Sequence, residues 1–153
     1  MNRVLLVGCG HMGSALLNEW INLKSYSLTV IDPVSLNSLK KKYYKKKVRF
    51  FDKTPNQNEI KKFDIIINAT SLGLKNGDDF DFNFLGTKEN IIYIDTIYNP
   101  LETKTYKFLK EEGRKVFNGL DMFIYQGQKS FYLWNKINPE IDNELIELLN
   151  SKL

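Results

Sequence analysis

The sequence predicts an α/β fold: a Rossmann-type, doubly wound open parallel sheet in one three-layer domain spanning residues 1–153. Three observations carry this. The apolar run Val4-Leu5-Leu6-Val7 leads straight into Gly8-Cys9-Gly10-His11-Met12-Gly13, a G-x-G-x-x-G spacing, and a helical pattern follows. Asp32 closes the next apolar run nineteen residues past the third glycine. Short runs rich in Val and Ile then alternate with helical patterns nearly to the end, as expected of a parallel sheet with crossover helices.

The strands are expected at about 3–8, 27–32, 47–51, 63–68, 90–95 and 115–117, where apolar runs are short and β-branched. Helices are expected between them at about 12–23, 34–45, 56–61 and 101–112, with two more at about 119–135 and 140–151. The first helix carries Met12, Leu16, Trp20 and Leu23 at helical spacing, which gives it one sheet-facing stripe. The last has Asn138 as N-cap, Pro139 at its first position, and a stripe of Ile141, Leu145, Leu148 and Leu149. Right-handed crossovers then give the strand order 3-2-1-4-5-6. The longest polar break is 72–81, with Asn76-Gly77-Asp78-Asp79. Segment 119–134 is apolar almost all round (Leu120, Met122, Phe123, Ile124, Tyr125, Phe131, Tyr132, Leu133, Trp134) and needs cover beyond what a sheet offers. A second copy of the chain or a separate substrate domain would supply it.

Composition narrows the classes. With 42% hydrophobic and 13% aromatic residues, 153 residues build a respectable core but leave little room for a second domain. The net charge of +4 is mild, and much of it sits in Lys40-Lys41-Lys42-Tyr43-Tyr44-Lys45-Lys46-Lys47. That run falls at the end of a predicted helix, where lysines complement the dipole, and it makes a poor footprint for nucleic acid. Cys9 is the only cysteine, which suits a reducing cytoplasm. The sequence goes directly into its first strand, so no leader is expected, and no apolar run approaches the roughly 18 residues of a membrane span.

The glycine loop is the clearest candidate site. Gly8 permits the turn, Gly10 lets the backbone approach a pyrophosphate, and Gly13 lets helix and strand pack closely, with His11 and Met12 between them. Free N–H groups and the positive end of the helix dipole then face the phosphates. Asp32 is placed to bind the adenosine ribose hydroxyls and to repel a 2′-phosphate, which points to NAD over NADP, with NADP kept as the alternative. The competing reading of Asp32 is a turn residue before Pro33. His11 is the only histidine and suits a solvent or backbone role at the loop mouth; Cys9 reads as a small loop residue. No metal site is expected, because Asp78, Asp79 and Asp81 lack the rest of a calcium-loop pattern.

Three later motifs carry a family resemblance. Asn68-Ala69-Thr70-Ser71-Leu72-Gly73, then Asp95-Thr96-Ile97-Tyr98-Asn99-Pro100-Leu101-Glu102-Thr103, then Gly119-Leu120-Asp121-Met122-Phe123-Ile124-Tyr125-Gln126-Gly127 occur in order. From about Phe63 onward, the chain thereby resembles the C-terminal half of shikimate dehydrogenase. The resemblance implies cofactor contacts at Asn68, Thr70, Ser71, Gly119 and Met122, and substrate-side positions at Tyr98 and Gln126. The first 50 residues, through Gly8-Cys9-Gly10-His11-Met12-Gly13-Ser14-Ala15-Leu16-Leu17-Asn18-Glu19-Trp20, instead resemble the opening of pyrroline-5-carboxylate reductases. A seam between about residues 50 and 63 is therefore expected, from either engineered recombination or a natural fusion.

The shikimate dehydrogenase resemblance implies a dinucleotide-binding domain of a 3-dehydroshikimate/shikimate oxidoreductase. That family holds its catalytic Lys and Asp in an N-terminal substrate domain with no counterpart in this sequence, so no catalytic residue is assigned and negligible turnover is expected. Tyr98, Gln126 and Lys129 are the polar candidates nearby. Two alternatives stand beside this reading: a non-catalytic recombined scaffold, and a reductase of the pyrroline-5-carboxylate type.

Overall fold

The computed structural model describes residues 1–75, 77–78 and 82–153; Asn76, Asp79 and Asp81 of the polar break lie outside the described residues. Six parallel strands form one sheet: β1 (Asn2–Val7), β2 (Tyr26–Ile31), β3 (Val48–Phe51), β4 (Ile65–Asn68), β5 (Ile92–Asp95) and β6 (Lys115–Phe117). Their order is β3-β2-β1-β4-β5-β6, as expected from the sequence. The register sets Val4 beside both Leu28 and Ile65, so β1 lies at the centre, between the two halves.

Strand periodicity decides the layers. Leu5 and Val7 join Ile60, Phe63, Phe84, Tyr93 and Leu109 in one buried cluster, while Val4 and Leu6 join Leu17, Leu28, Leu39 and Tyr43 in the other. Helices α1 (His11–Trp20) and α2 (Leu36–Lys42) therefore cover one face. The other face is covered by α3 (Gln57–Ile60), a 3₁₀ turn at Phe84–Gly86, and α4 (Lys104–Glu111). Helices α5 (Leu120–Asn135) and α6 (Asn143–Lys152) follow the last strand.

Local chemistry explains where the boundaries differ from expectation. α1 stops at Trp20, so Leu23 falls outside it and is exposed, and the buried residues of the helix are Gly13 and Leu17. α2 starts at Leu36 because the N–H groups of Val34 and Ser35 bond to Asp32, which holds the preceding turn. α6 starts after Asp142, not Asn138, since Asp142 Oδ1 accepts from Leu145 N at 2.8 Å and caps the helix there. α3 opens with a reciprocal capping box between Asn56 and Glu59. In α5 only Leu120 and Ile124 are buried; Phe123, Tyr125, Phe131, Tyr132, Leu133 and Trp134 are exposed, Trp134 by 80%.

Candidate functional site

A cleft of about 650 Å³ lies at the carboxyl ends of β1 to β4, where strand order reverses between β1 and β4. Open α/β sheets bind ligands at this switch point. A second hollow, lined by Arg3, Thr29, Arg49 and Phe51, runs along the sheet face of β1, β2 and β3 beside α3.

The three glycines of the loop do different work. Gly8 adopts φ +86°, and a Cβ there would lie 2.8 Å from the Ala69 carbonyl oxygen, so side-chain-free backbone is required. At Gly13 a Cβ would meet the Gly8 carbonyl oxygen at 2.1 Å, which is what lets α1 sit directly on the loop. Gly10 is the contrast: nothing lies within 4 Å of its Cβ position, and it lines the cleft. Its place as N-cap of α1, with no side-chain cap, leaves the helix start open to an incoming acceptor. The loop thus has a cradle that fits a pyrophosphate. His11 is exposed as the first residue of α1, and Met12 is half-buried behind it.

Cys9 is buried, and burial pushes its thiol up, outweighing the pull of its contact with Ser14. That environment belongs to a packed thiol, not a nucleophile. Asp32 is 8% exposed and closely engaged: Oδ2 accepts from Cys9 N at 2.8 Å, and Oδ1 from Val34 N at 3.1 Å and Ser35 N at 2.7 Å. It ties the glycine loop to the turn after β2, so the turn role and the cleft-wall role coexist in one carboxylate.

Asn68 departs from expectation most clearly. Its side chain is fully buried; Nδ2 donates to Leu72 O and Asp95 Oδ1, and Oδ1 accepts from Thr70 N and Thr70 Oγ1. A side chain so occupied shapes the 68–72 loop from beneath and does not reach into the cleft. Asp95, 1% exposed, continues the network by accepting from Asn68 Nδ2, Ile97 N, Tyr93 Oη and Thr103 Oγ1. Burial pushes the Asp95 carboxyl up, and these bonds only partly offset it. Tyr93 is driven up as well, by desolvation first and by Asp95 second. Sequence reading took the aspartate only as the start of a motif; its role as the knot under two loops shows only once β4 and β5 are paired. Thr70 and Ser71 line the cleft above this network.

The remaining positions lie toward α5. Gly119 caps that helix and packs against β5's exit, where a Cβ would meet Thr96 O at 2.1 Å; Met122 is half-buried in the first turn. Tyr98 stacks on Phe123, with ring centroids 4.3 Å apart and planes 18° from parallel. Gln126 reaches Met12, its Nε2 lying 3.9 Å from Sδ, which joins α5 to the start of α1. The Lys129 ammonium lies over the Tyr132 ring, 5.2 Å from its centroid. Sequence reasoning missed Asp52 and Thr54, which line the cleft at the end of β3, because neither belongs to a motif.

Fold, glycine loop and cleft together define a Rossmann-type domain with the architecture of dinucleotide-binding proteins. No protein-family model matches the chain. It is 34% identical over 148 residues to the shikimate dehydrogenase (NADP(+)) of Pelagibacter ubique, covering 97% of this chain and 54% of that protein. Among solved structures, it superposes on shikimate dehydrogenase from Aquifex aeolicus with a TM-score of 0.78 at 26% identity, covering 97% of this chain and 53% of the other. A Thermus thermophilus shikimate 5-dehydrogenase in complex with NADP(H) and shikimate gives 0.73 at 25% identity, covering 97% and 54%. The chain is thus shikimate-dehydrogenase-like along nearly its whole length, and it spans about half the length of the curated relatives it matches. The likeness runs through the first 50 residues and across 50–63, so the comparisons lend no support to a pyrroline-5-carboxylate reductase origin for the first part or to a seam. The glycine loop belongs to the fold as a whole, which is why its spelling misleads about family.

Proposed function

We propose that this chain is a single NAD(P)(H)-binding domain of a shikimate-dehydrogenase-like oxidoreductase. The observation that carries the reading is the open start of α1 over Gly10, set at the switch point with Gly8 and Gly13 packed behind it. The Pelagibacter relative, named for NADP(+), and the Thermus structure, holding NADP(H) and shikimate, support it. The loop backbone from Gly8 to Gly13 would hold the pyrophosphate, with Asp32 toward the adenosine ribose and Thr70, Ser71, Gly119 and Met122 toward the nicotinamide. Asn68 would act through the loop it braces. Tyr98 and Gln126 would stand on the substrate side.

When bound, the dinucleotide supplies the hydride that turns the ketone of 3-dehydroshikimate into the alcohol of shikimate. The accompanying proton needs a general acid. Tyr98, its ring stacked on Phe123, and Lys129, over the Tyr132 ring, do not line the glycine-loop cleft, and we expect negligible turnover from this chain by itself. The exposed apolar side of α5 would meet a substrate domain or a second copy. Cys9, held as a buried thiol, fits a reducing cytoplasm.

Calorimetric titration of the purified chain with NADH and with NADPH tests the reading. Saturable one-to-one binding of either is expected. Binding of neither would leave the loop as fold architecture alone.

A further inference from the structure

We propose that the hollow on the α3 side of β1, β2 and β3 binds a small organic anion. Its oxyanion head, carboxylate or phosphate, is held between Arg3 and Arg49, and its ring lies against Phe51 and Phe63. The hollow shares no lining residue with the glycine-loop cleft, so the inference stands apart from the dinucleotide reading.

Register brings the group together. Arg3 pairs with Ser27, Leu5 with Thr29, Thr29 with Arg49, and Ile31 with Phe51, and paired residues of parallel strands project to one face. On that face Leu5, Val7 and Ile31 are buried with Ile60 and Phe63. The crossover helix there is short: α3 has four residues, about 6 Å of helix, beside six-residue strands of about 20 Å. The uncovered part, where Arg3, Ser27, Thr29 and Arg49 stand in place of apolar residues, is a hollow of about 420 Å³. That volume falls in the range of small-molecule sites.

Polar side chains on a solvated sheet face are ordinary, and a cation on an edge strand such as β3 guards against pairing with another chain. Two observations point past that. The floor is dry, because Thr29 is 1% exposed, and its Oγ1 accepts from Arg49 Nη2 at 3.0 Å, which turns the guanidinium inward over β2. The lining is also rich in unused donors. Among the described residues, the Ser27 and Thr29 hydroxyl protons, the Arg3 guanidinium and the Lys62 ammonium meet no hydrogen-bond acceptor. The carboxylate in the lining, Glu59, is engaged in its capping box, where Oε2 accepts from Asn56 N at 3.1 Å. Asp64, outside the lining, accepts from the Arg3 backbone N at 2.8 Å and from Lys88. Donors without acceptors around a desolvated floor call for an acceptor-rich guest, and two guanidinium forks favour an anionic one. Phe51 and Phe63 add ring surface that a bare ion would leave uncovered and an aromatic body would cover.

The test is titration of the isotope-labelled full chain with phenyl phosphate, benzoate, benzamide and inorganic phosphate, followed by backbone amide shifts and repeated for Arg49→Gln and Arg3→Gln. Saturable shifts centred on Arg3, Ser27, Thr29, Arg49 and Phe51 are expected with phenyl phosphate or benzoate, and the tighter of the two identifies the head. Neutral benzamide and ring-free phosphate should each bind about tenfold more weakly or worse. Both substitutions change exposed side chains, so the fold is retained, and each should weaken the better anion about tenfold. The proposal is overturned by the absence of saturable shifts with both ring-bearing anions, or by shifts spread over Lys40 to Lys47 in place of the hollow. Benzamide or bare phosphate binding as tightly overturns it too, as does an affinity that neither substitution moves.

Discussion

Asp95→Asn probes the buried knot with almost no change in shape. The two carboxylate oxygens accept four bonds: Oδ1 from Asn68 Nδ2 at 2.9 Å and Ile97 N at 3.1 Å, Oδ2 from Thr103 Oγ1 at 2.8 Å and Tyr93 Oη at 3.1 Å. An amide replaces one acceptor by a donor. The amide nitrogen is best tolerated on the Oδ2 side, because the two hydroxyls can rotate to accept, whereas Asn68 Nδ2 and Ile97 N cannot. Thr103 Oγ1 already accepts from Tyr106 N, so its own proton is left without a partner. Two bonds to a carboxylate are lost, at about 1.5–3 kcal/mol each. Hydroxyl rotation and the removal of a buried charge return part of that, for a net loss of about 2–4 kcal/mol. For a chain of this size the melting temperature should fall by about 6–12 °C. Thermal denaturation followed by circular dichroism is the assay, with dinucleotide titration alongside, since the 68–72 loop hangs from the same knot. A melting temperature within about 1 °C of wild type would refute the argument that these four bonds hold the carboxyl ends of β4 and β5 together.

Gly13→Ala should cost about 1–3 kcal/mol or more and weaken dinucleotide binding, because its Cβ would sit 2.1 Å from the Gly8 carbonyl oxygen; chemical denaturation reads the first effect. Gly10→Ala should leave stability within about 0.5 kcal/mol and yet weaken dinucleotide binding about tenfold or more, so calorimetry and melting curves together separate a ligand glycine from a fold glycine. Acid should act on two carboxyls with opposite sign. The folded-state value of Asp95 is raised above its ordinary 3.8, so its contribution is fully present below that value and is lost as pH rises through the raised one; the stability gap between wild type and Asp95→Asn should widen as pH falls from neutral. Asp64, bonded by Arg3 N and Lys88, is lowered, so its contribution is present above 3.8 and lost as pH falls through the lower value. With both side chains about one-third exposed, that pair is worth no more than about 1 kcal/mol, and melting curves of Lys88→Met against pH should show it.

What was legible in the sequence follows from what is local. Gly8, Gly10 and Gly13 could be assigned separate roles from their spacing, because one turn decides all three. The six strands and their order could be read because parallel crossovers leave few alternatives. The family resemblance makes Asn68 a contact; that its side chain points into a buried network depends on Asp95, 27 residues away, and no local pattern encodes that pairing. The start of α6 was misplaced because Asn138-Pro139 is a good opening in isolation, while Asp142 has the capping geometry. Asp52 was silent for a similar reason: its place on the cleft wall is fixed by the β2–β3 register, not by its neighbours in sequence.

The central position of β1 has a consequence for how the chain is made. Its partners are β2, which follows closely, and β4, whose Ile65 pairs with Val4 from 61 residues away. The first strand of this sheet to be synthesised is therefore completed only after β2, and until Asn68 is available one side of it carries unpaired N–H and C=O groups along an apolar stretch. Such an edge is a template for another chain. Truncations that end before Asn68 should therefore aggregate, whereas those that spare β4 but remove α6, which buries no residue fully, should stay soluble. Assembly of this sheet is thus governed by the wait between its first strand and its fourth.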